Sequence, residues 1–320
     1  MSKNKNIKFL NISSELGAGT RGSSKSLEGL KLAAKTKGSS IFNNHKITPV
    51  KDANDSLLKN INFPNAKRIK VIYEVLNRVH SCVKKELLKK KFPVLISGDH
   101  SISIGTIAGI KSAFKNKTIG VIWIDPHADI HSPYTTPSGN MHGMPVAASL
   151  GIDNILPKGN QPHSEAIKLW HKIKSLGGVC PKLKPENIVY VGVRDTEWQE
   201  NELIDKLGIK NHTIDFIRNH GAVLTAKSTL EKLAECDLIY ISFDVDVLDT
   251  SLSKGTGTPV PNGLFLNEVI SFVNEVSKSQ KLCCFEIVEI NPTFDNKGNL
   301  MAEMGLEVLE ALVNSINTTS

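Results

Sequence analysis

The apolar residues of this chain gather in short unbroken runs at residues 92–96, Ile119–Ile124, Ile188–Val191, 238–241 and Leu282–Val288. These runs do not alternate with polar positions, so each predicts a strand covered on both faces, as in a parallel sheet. Between them the period lengthens, and residues 66–88, 197–207 and 267–276 carry the apolar spacing of helices. Strands that alternate with helices build βαβ units with right-handed crossovers. The expected fold class is α/β, a three-layer α/β/α sandwich with a central, mostly parallel sheet. No fixed-period repeat or low-complexity linker interrupts the pattern, and residues 1–320 read as a single domain. Residues 151–162 and 177–186 read as surface connections, and residues 314–320 as a fraying end.

Composition narrows the class further. Of 320 residues, 40% are apolar and 22% charged, the balance of a soluble globular protein with a sizeable core. The formal charge of +7 comes mostly from scattered lysines. Their one local cluster, Lys84-Lys85 with Lys89-Lys90-Lys91, sits on a helical pattern and reads as a solvated face. Three Trp and four Tyr offer no evident platform for stacking bases, so nucleic acid is not expected as a partner. No apolar stretch reaches the roughly 18 residues of a membrane span, and residues 1–8 are polar and basic with no apolar signal core behind them. Cys82, Cys180, Cys236, Cys283 and Cys284 form neither a C-x-x-C pair nor a zinc spacing, and read as reduced thiols in a cytoplasmic protein.

The candidate chemistry sits where strands end, the place where open α/β sheets bind ligands. One apolar run leads into Ser97-Gly98-Asp99-His100-Ser101. A second leads into Asp125-Pro126-His127-Ala128-Asp129-Ile130-His131, and a third into Ser242-Phe243-Asp244-Val245-Asp246-Val247-Leu248-Asp249. In extended chain Asp125, His127 and Asp129 project from one side, as do Asp244 and Asp246. Carboxylates converging at one sheet edge repel one another unless a cation lies between them. With His100 the set is four carboxylates and two imidazoles, and four negative charges balance two divalent ions. Asp99 and Asp249 fit capping or loop roles instead. Oxygen and imidazole ligands without thiolate suit manganese, with iron, cobalt, nickel and zinc open. Two metals about 3.5–4 Å apart lower the pKa of a shared water, which points to a hydrolase.

These three segments resemble, in order, the G-G-D-H-S, D-A-H-x-D and S-F-D-x-D-x-x-D patterns of the arginase (ureohydrolase) family. Pro137-Ser138-Gly139-Asn140-Met141-His142-Gly143 is similar to the family's S-G-N-x-H-G loop, Gly255-Thr256-Gly257-Thr258-Pro259-Val260-Pro261 to its G-T-G-T-P-x-P turn, and Glu289-Ile290-Asn291-Pro292 to its E-x-N-P. The matches span most of the chain, from about residue 95 to 295. The resemblance implies hydrolysis of L-arginine to L-ornithine and urea by a hydroxide bridging two Mn2+ ions per chain. It gives one ion His100, Asp125, Asp129 and Asp244, and the other His127, Asp125, Asp244 and Asp246. It also implies that Asp129 orients the hydroxide, Glu289 pairs with the guanidinium and His142 shuttles protons. Ser138 and Asn140 would hold the α-carboxylate, and Glu197 and Glu200 occupy the segment that reads the α-amino group. Family members are often trimers or hexamers, so a homo-oligomer is expected.

Three positions depart from the family pattern. His131 stands where an asparagine usually meets the α-carboxylate, Glu197 where an aspartate is usual, and Pro126 replaces an alanine inside the metal motif. Proline tolerates extended geometry, so the metal site is expected to survive it. The other two concern the amino-acid end of the substrate. They leave agmatine, guanidinobutyrate and formiminoglutamate as alternatives, and a non-catalytic arginine or metal sensor as the non-enzymatic one. The Ser138-Gly139-Asn140 loop argues against agmatine, which has no carboxylate for it to hold. A metal-dependent deacetylase would use one zinc and different histidine pairs. Residues 15–26 follow the family's opening only loosely, and no function is placed there.

Overall fold

The computed structural model describes residues 5–155 and 159–318. All eight strands lie in one sheet: β1 (Asn6–Ile12), β2 (Ile47–Pro49), β3 (Lys91–Ser97), β4 (Ile119–Ile124), β5 (Ile188–Val191), β6 (Lys210–His212), β7 (Leu238–Asp244) and β8 (Leu282–Val288). Every pairing is parallel, and the order is β2-β1-β3-β8-β7-β4-β5-β6. The helices are α1 (Ser26–Lys37), α2 (Ile41–Asn44), α3 (Ile69–Leu88), α4 (Ser103–Ala113), α5 (Pro145–Leu150), α6 (Ser164–Lys174), α7 (Trp198–Leu207), α8 (Ile214–His220), α9 (Ala222–Lys232), α10 (Leu266–Ser277) and α11 (Leu300–Thr318).

Two buried cores give the sandwich its three layers. On one face of the sheet Ile122, Ile241 and Phe285 pack against Leu30 of α1, Ala226 of α9, Val273 of α10 and Leu309 of α11. On the other, Leu95, Val121 and Tyr240 pack against Val79 of α3, Ile107 of α4, Ala147 of α5 and Trp170 of α6. This double cover explains the unbroken apolar runs, because neither face of a central strand meets water.

The expected three-layer α/β/α class is borne out, with every strand pairing parallel. Other expectations are corrected. The apolar runs placed no strand before residue 92, yet β1 begins at Asn6 and buries Phe9, Leu10 and Ile12; residues 1–4 lie outside the described residues. The edge strands β2 and β6 are three residues each, too short for a hydrophobic pattern to mark them. Residues 314–318 do not fray, because Leu309, Leu312, Val313 and Ile316 continue one buried face of α11; residues 319–320 lie outside the described residues. The connection at 177–186 turns Lys182 and Leu183 inward, and that at 151–162 includes three residues, 156–158, outside the described ones.

The order of the central strands positions the site. β3, β8, β7 and β4 are neighbours, so their carboxyl ends share one stretch of sheet edge. That edge brings together His100 after β3, Glu289 after β8, Asp244 and Asp246 at the end of β7, and the Asp125–Asp129 segment after β4.

Candidate active site and metal centre

The alternating spacing of the acidic motifs suggested extended chain, but tight turns deliver these side chains. Asp125 accepts the backbone N–H of His127 at 2.7 Å, and Asp244 accepts that of Asp246 at 2.9 Å. Such turns suit Asp, whose short carboxylate bonds the backbone two residues on. Asp129 has φ 51, a left-handed conformation that aims its side chain back into the cluster. Asp99 caps the short helix His100–Ile102 by accepting Ser101 N–H, and Asp249 accepts Ser251 and Gly263 N–H. Both keep the capping and loop roles read for them.

His100 Nδ1 faces Asp125 Oδ2 at 2.9 Å, Asp244 Oδ2 at 3.1 Å and Asp129 Oδ2 at 3.2 Å. His127 Nδ1 faces Asp246 Oδ2 at 3.3 Å and Asp125 Oδ1 at 3.4 Å. The two groups share Asp125, one oxygen in each. The four carboxylates are almost wholly buried, and that burial dominates their electrostatics. Burial raises the Asp125 carboxyl, but His100 and His127 outweigh it and bring it down to about 2. Burial and the charge of Asp125 push Asp129 up to about 6, and burial with Asp246 and Asp125 raises Asp244 further. Burial and mutual repulsion thus work against ionisation of Asp129 and Asp244, an opposition that bound divalent cations would relieve.

The donor set fits such ions. His100 Nδ1, Asp125 Oδ2 and Asp246 Oδ1 are buried atoms without a hydrogen-bond partner, an arrangement that costs free energy unless something binds them. His100–Asp125–Asp129 and Asp125–His127–Asp246 each bring three ligand atoms within 4.8 Å of one another. Asp244 completes the first group through its contact with His100. Pro126 does not disturb the turn, and its carbonyl accepts Arg194 and Asp195 N–H.

Sequence reading missed the residues that brace the ligands. Trp123 stacks on the His100 ring with centroids 4.1 Å apart and planes 3° from parallel. Ser242 lies 2.8 Å from His100 Nε2, and Thr258 donates to Asp246 at 3.0 Å. Ser242 and Thr258 lay inside recognisable motifs, but only tertiary contact reveals what they touch. Residues 15–26 also have a place. Gly17 N–H donates to Asp99, and a side chain at Gly19 or Gly257 would meet Asn140 or Thr20 at 2.7 Å.

Above the cluster opens a cavity of about 310 Å3. His100, His127, Asp129, Asp244 and Asp246 line it together with His131, Ser138, His142, Glu197 and Glu200. Glu289 is not among the lining residues and is 1% exposed, with φ 65. Its Oε1 accepts the backbone N–H of His100 at 3.1 Å and stands 3.2 Å from His142 Nδ1. Burial alone would lower the His142 pKa, but Glu289 outweighs it and leaves the imidazole raised. Asn140 is not among the lining residues; its backbone N–H donates to Ser138 Oγ at 3.1 Å and its side-chain amide lies against Gly19. Glu200 caps the start of α7 by accepting the backbone N–H of Glu197, the helix-opening role open to acids in this segment. Glu200 is committed to the backbone N–H of Ile130 and Glu197.

The comparisons with known proteins agree with this geometry. The arginase family model matches residues 11–314. The arginase of Bacillus subtilis (strain 168) is 35% identical over 260 residues, covering 81% of this chain and 79% of its own. The solved arginase of Bacillus caldovelox superposes with a TM-score of 0.83 at 30% identity, over 97% of this chain and 98% of that one. The formimidoylglutamase of Bacillus subtilis shares the fold at 20% identity and a TM-score of 0.75, over 98% of this chain and 87% of its own. By matched family, shared fold and convergent acidic motifs, this chain belongs to the arginase family of amidine-hydrolysing enzymes.

Proposed function

We propose that this enzyme hydrolyses L-arginine to L-ornithine and urea, with two Mn2+ ions held by His100, Asp125, Asp129 and Asp244 and by His127, Asp125, Asp244 and Asp246. The observation that carries the substrate reading is the cavity's polarity. Its lining joins the acidic cluster to Ser138, Glu197 and Glu200. A hydroxyl and carboxylates in the same cavity suit a zwitterionic amino-acid end, with the guanidino end at the acidic cluster. Manganese is supported by the oxygen and imidazole donors and the lack of thiolate.

When bound, the two ions would supply a water acidified to near-neutral pKa. Asp129 orients the attacking oxygen towards the guanidinium carbon. Glu289 accepts guanidinium protons, which a buried carboxylate does with paired hydrogen bonds. His142 carries a proton at its ring nitrogen and releases it towards the departing amine, while Glu289 holds the ring in place. Ser138, Asn140 and His131 belong to the carboxylate end of the substrate, and Glu197 and Glu200 to its amino group. The five cysteines are free, in keeping with a cytoplasmic enzyme. A homotrimer or hexamer belongs to the same reading.

A second reading has its own support. His131 Nε2 stands 2.9 Å from Glu197 Oε2 and its Nδ1 3.1 Å from Thr135 Oγ1, so neither ring nitrogen is free for a carboxylate. That favours a guanidino compound lacking the α-carboxylate. Product analysis separates the two. Equimolar ornithine and urea from L-arginine supports the first reading, and no product from L-arginine with two ions bound contradicts it.

A further inference from the structure

Glu286 is a carboxylate in the middle of β8, 0% exposed, with Leu95 and Ser242 as its neighbours in register on β3 and β7. A buried charge is costly unless hydrogen bonds satisfy it. Three hydroxyls do so here. Ser97 donates to Oε1 at 2.5 Å, and Tyr240 and Ser103 donate to Oε2 at 2.5 and 3.2 Å. Burial and the neighbouring Glu286 together hold the Tyr240 phenol well above its ordinary pKa, so its proton stays on that bond.

The network continues to the metal centre. Ser103 Oγ lies 3.3 Å from Ser242 Oγ, and Ser242 Oγ lies 2.8 Å from His100 Nε2. An ionised carboxylate can only accept, so it sets the direction of every bond in the chain. Ser103 Oγ lies 3.2 Å from Glu286 Oε2 and 3.1 Å from the oxygen of Tyr240, whose own proton goes to Glu286; with the Ser103 proton on either of these acceptors, a Ser103 lone pair is left for the Ser242 hydroxyl. Ser242 then presents its own lone pair to His100 and can receive only an N–H. Trp123 already fixes the plane of the ring. What remains to be fixed is which nitrogen carries the proton.

We propose that Glu286 is a positioning residue for His100: as terminal acceptor of the hydroxyl chain through Ser103 and Ser242, it fixes the proton on Nε2 and turns the Nδ1 lone pair towards Asp125, Asp129 and Asp244. The tautomer of a metal-ligating histidine is set by the bond its other nitrogen makes. Here that bond is made to a serine and its direction is imposed by a carboxylate two hydroxyls away. The proposal rests on the metal centre of the preceding section and not on the identity of the substrate.

The test is a calorimetric titration of the full-length, metal-stripped chain with manganese alone, for wild type, E286Q, E286D and S242A. E286Q keeps the shape but introduces an amide donor that can reverse the chain. It should weaken one of two manganese sites by about ten- to a hundredfold and spare the other. E286D keeps the charge and should stay much closer to wild type. S242A cuts the link while leaving Glu286 its three donors, so it should weaken the same site with little change in the melting temperature of the metal-free protein. With diamagnetic zinc bound, 15N-histidine spectra should place the His100 proton on Nε2 in wild type and lose that signature in E286Q. Unchanged affinity at both sites in E286Q and S242A would overturn the proposal. So would weakening in E286Q alone, because the effect would then bypass Ser242. A wild-type chain that binds no manganese would remove the metal centre and the proposal with it, whereas failure to hydrolyse L-arginine touches only the substrate reading.

Discussion

His131 Nε2 stands 2.9 Å from Glu197 Oε2, joining the two positions at which this chain departs from its family at the amino-acid end of the pocket. The pair holds the Glu197 carboxyl down at about 2, with the His131 hydrogen bond as the largest cause. A longer acid and a proton-donating ring have replaced a shorter acid and an amide, and the two replacements touch. They are best understood as one change.

If so, the two positions are coupled. Glu197→Asp and His131→Asn should each raise KM for L-arginine without loss of metal. The double variant should be less impaired than the sum of the two, by a coupling of about 1 kcal/mol or more. Steady-state kinetics of all four proteins measures this. Strict additivity would mean that the pair does not act as a unit.

Asp125 presents one oxygen to the His100 group and the other to the His127 group. Asp125→Asn should therefore cost the protein both ions and all measurable urea release, and Asp244→Asn should do the same. Elemental analysis after gel filtration decides it. Two manganese ions retained by either variant would contradict the bridging assignment.

His142 touches Glu289 but none of the ligand carboxylates to which His100 and His127 are paired. His142→Ala should lower kcat by about 10²–10⁴-fold, the usual range for a lost proton-transfer group. Its metal content should equal that of wild type. Loss of an ion would place His142 among the ligands.

His212, at the end of β6, is 0% exposed, and neither of its ring nitrogens has a hydrogen-bond partner. Burial, with Lys210 and His220 nearby, lowers its pKa from 6.5 to about 4. The folded protein thus keeps this ring neutral where the unfolded chain protonates it. Its contribution to stability is complete above about pH 6.5 and declines as pH falls towards 4, by up to roughly 3 kcal/mol. His212→Phe should remove the decline, so denaturant titrations should show the variant's advantage growing from pH 7 to pH 4.5. An advantage constant with pH would show that His212 does not titrate in this way.

The parts of this account legible in the sequence share a physical cause. Ile119–Ile124, Ile188–Val191 and Leu282–Val288 are strands to the residue, because burial on both faces leaves a run with sharp ends that is apolar throughout except at Glu286. The candidate ligands could be named because acidic residues rarely follow such runs in a set spacing. Hidden from the sequence was whatever depends on neighbours distant in the chain. The edge strands borrow their pairing from longer partners, and Glu286 looks like an isolated polar residue until the register sets it against Ser242. The turn geometry of Asp125 and Asp129 was hidden too, because i, i+2 spacing fits extended chain and a turn equally well.

The most direct test of the central claim is urea release by purified, manganese-loaded protein offered L-arginine, agmatine, 4-guanidinobutyrate and formiminoglutamate in parallel, with formamide assayed for the last. The account predicts that L-arginine yields urea with the highest kcat/KM of the four. Turnover of another compound with L-arginine ignored would keep the mechanism and contradict the substrate. No turnover of any of them, with two ions bound, would contradict catalysis on these substrates altogether.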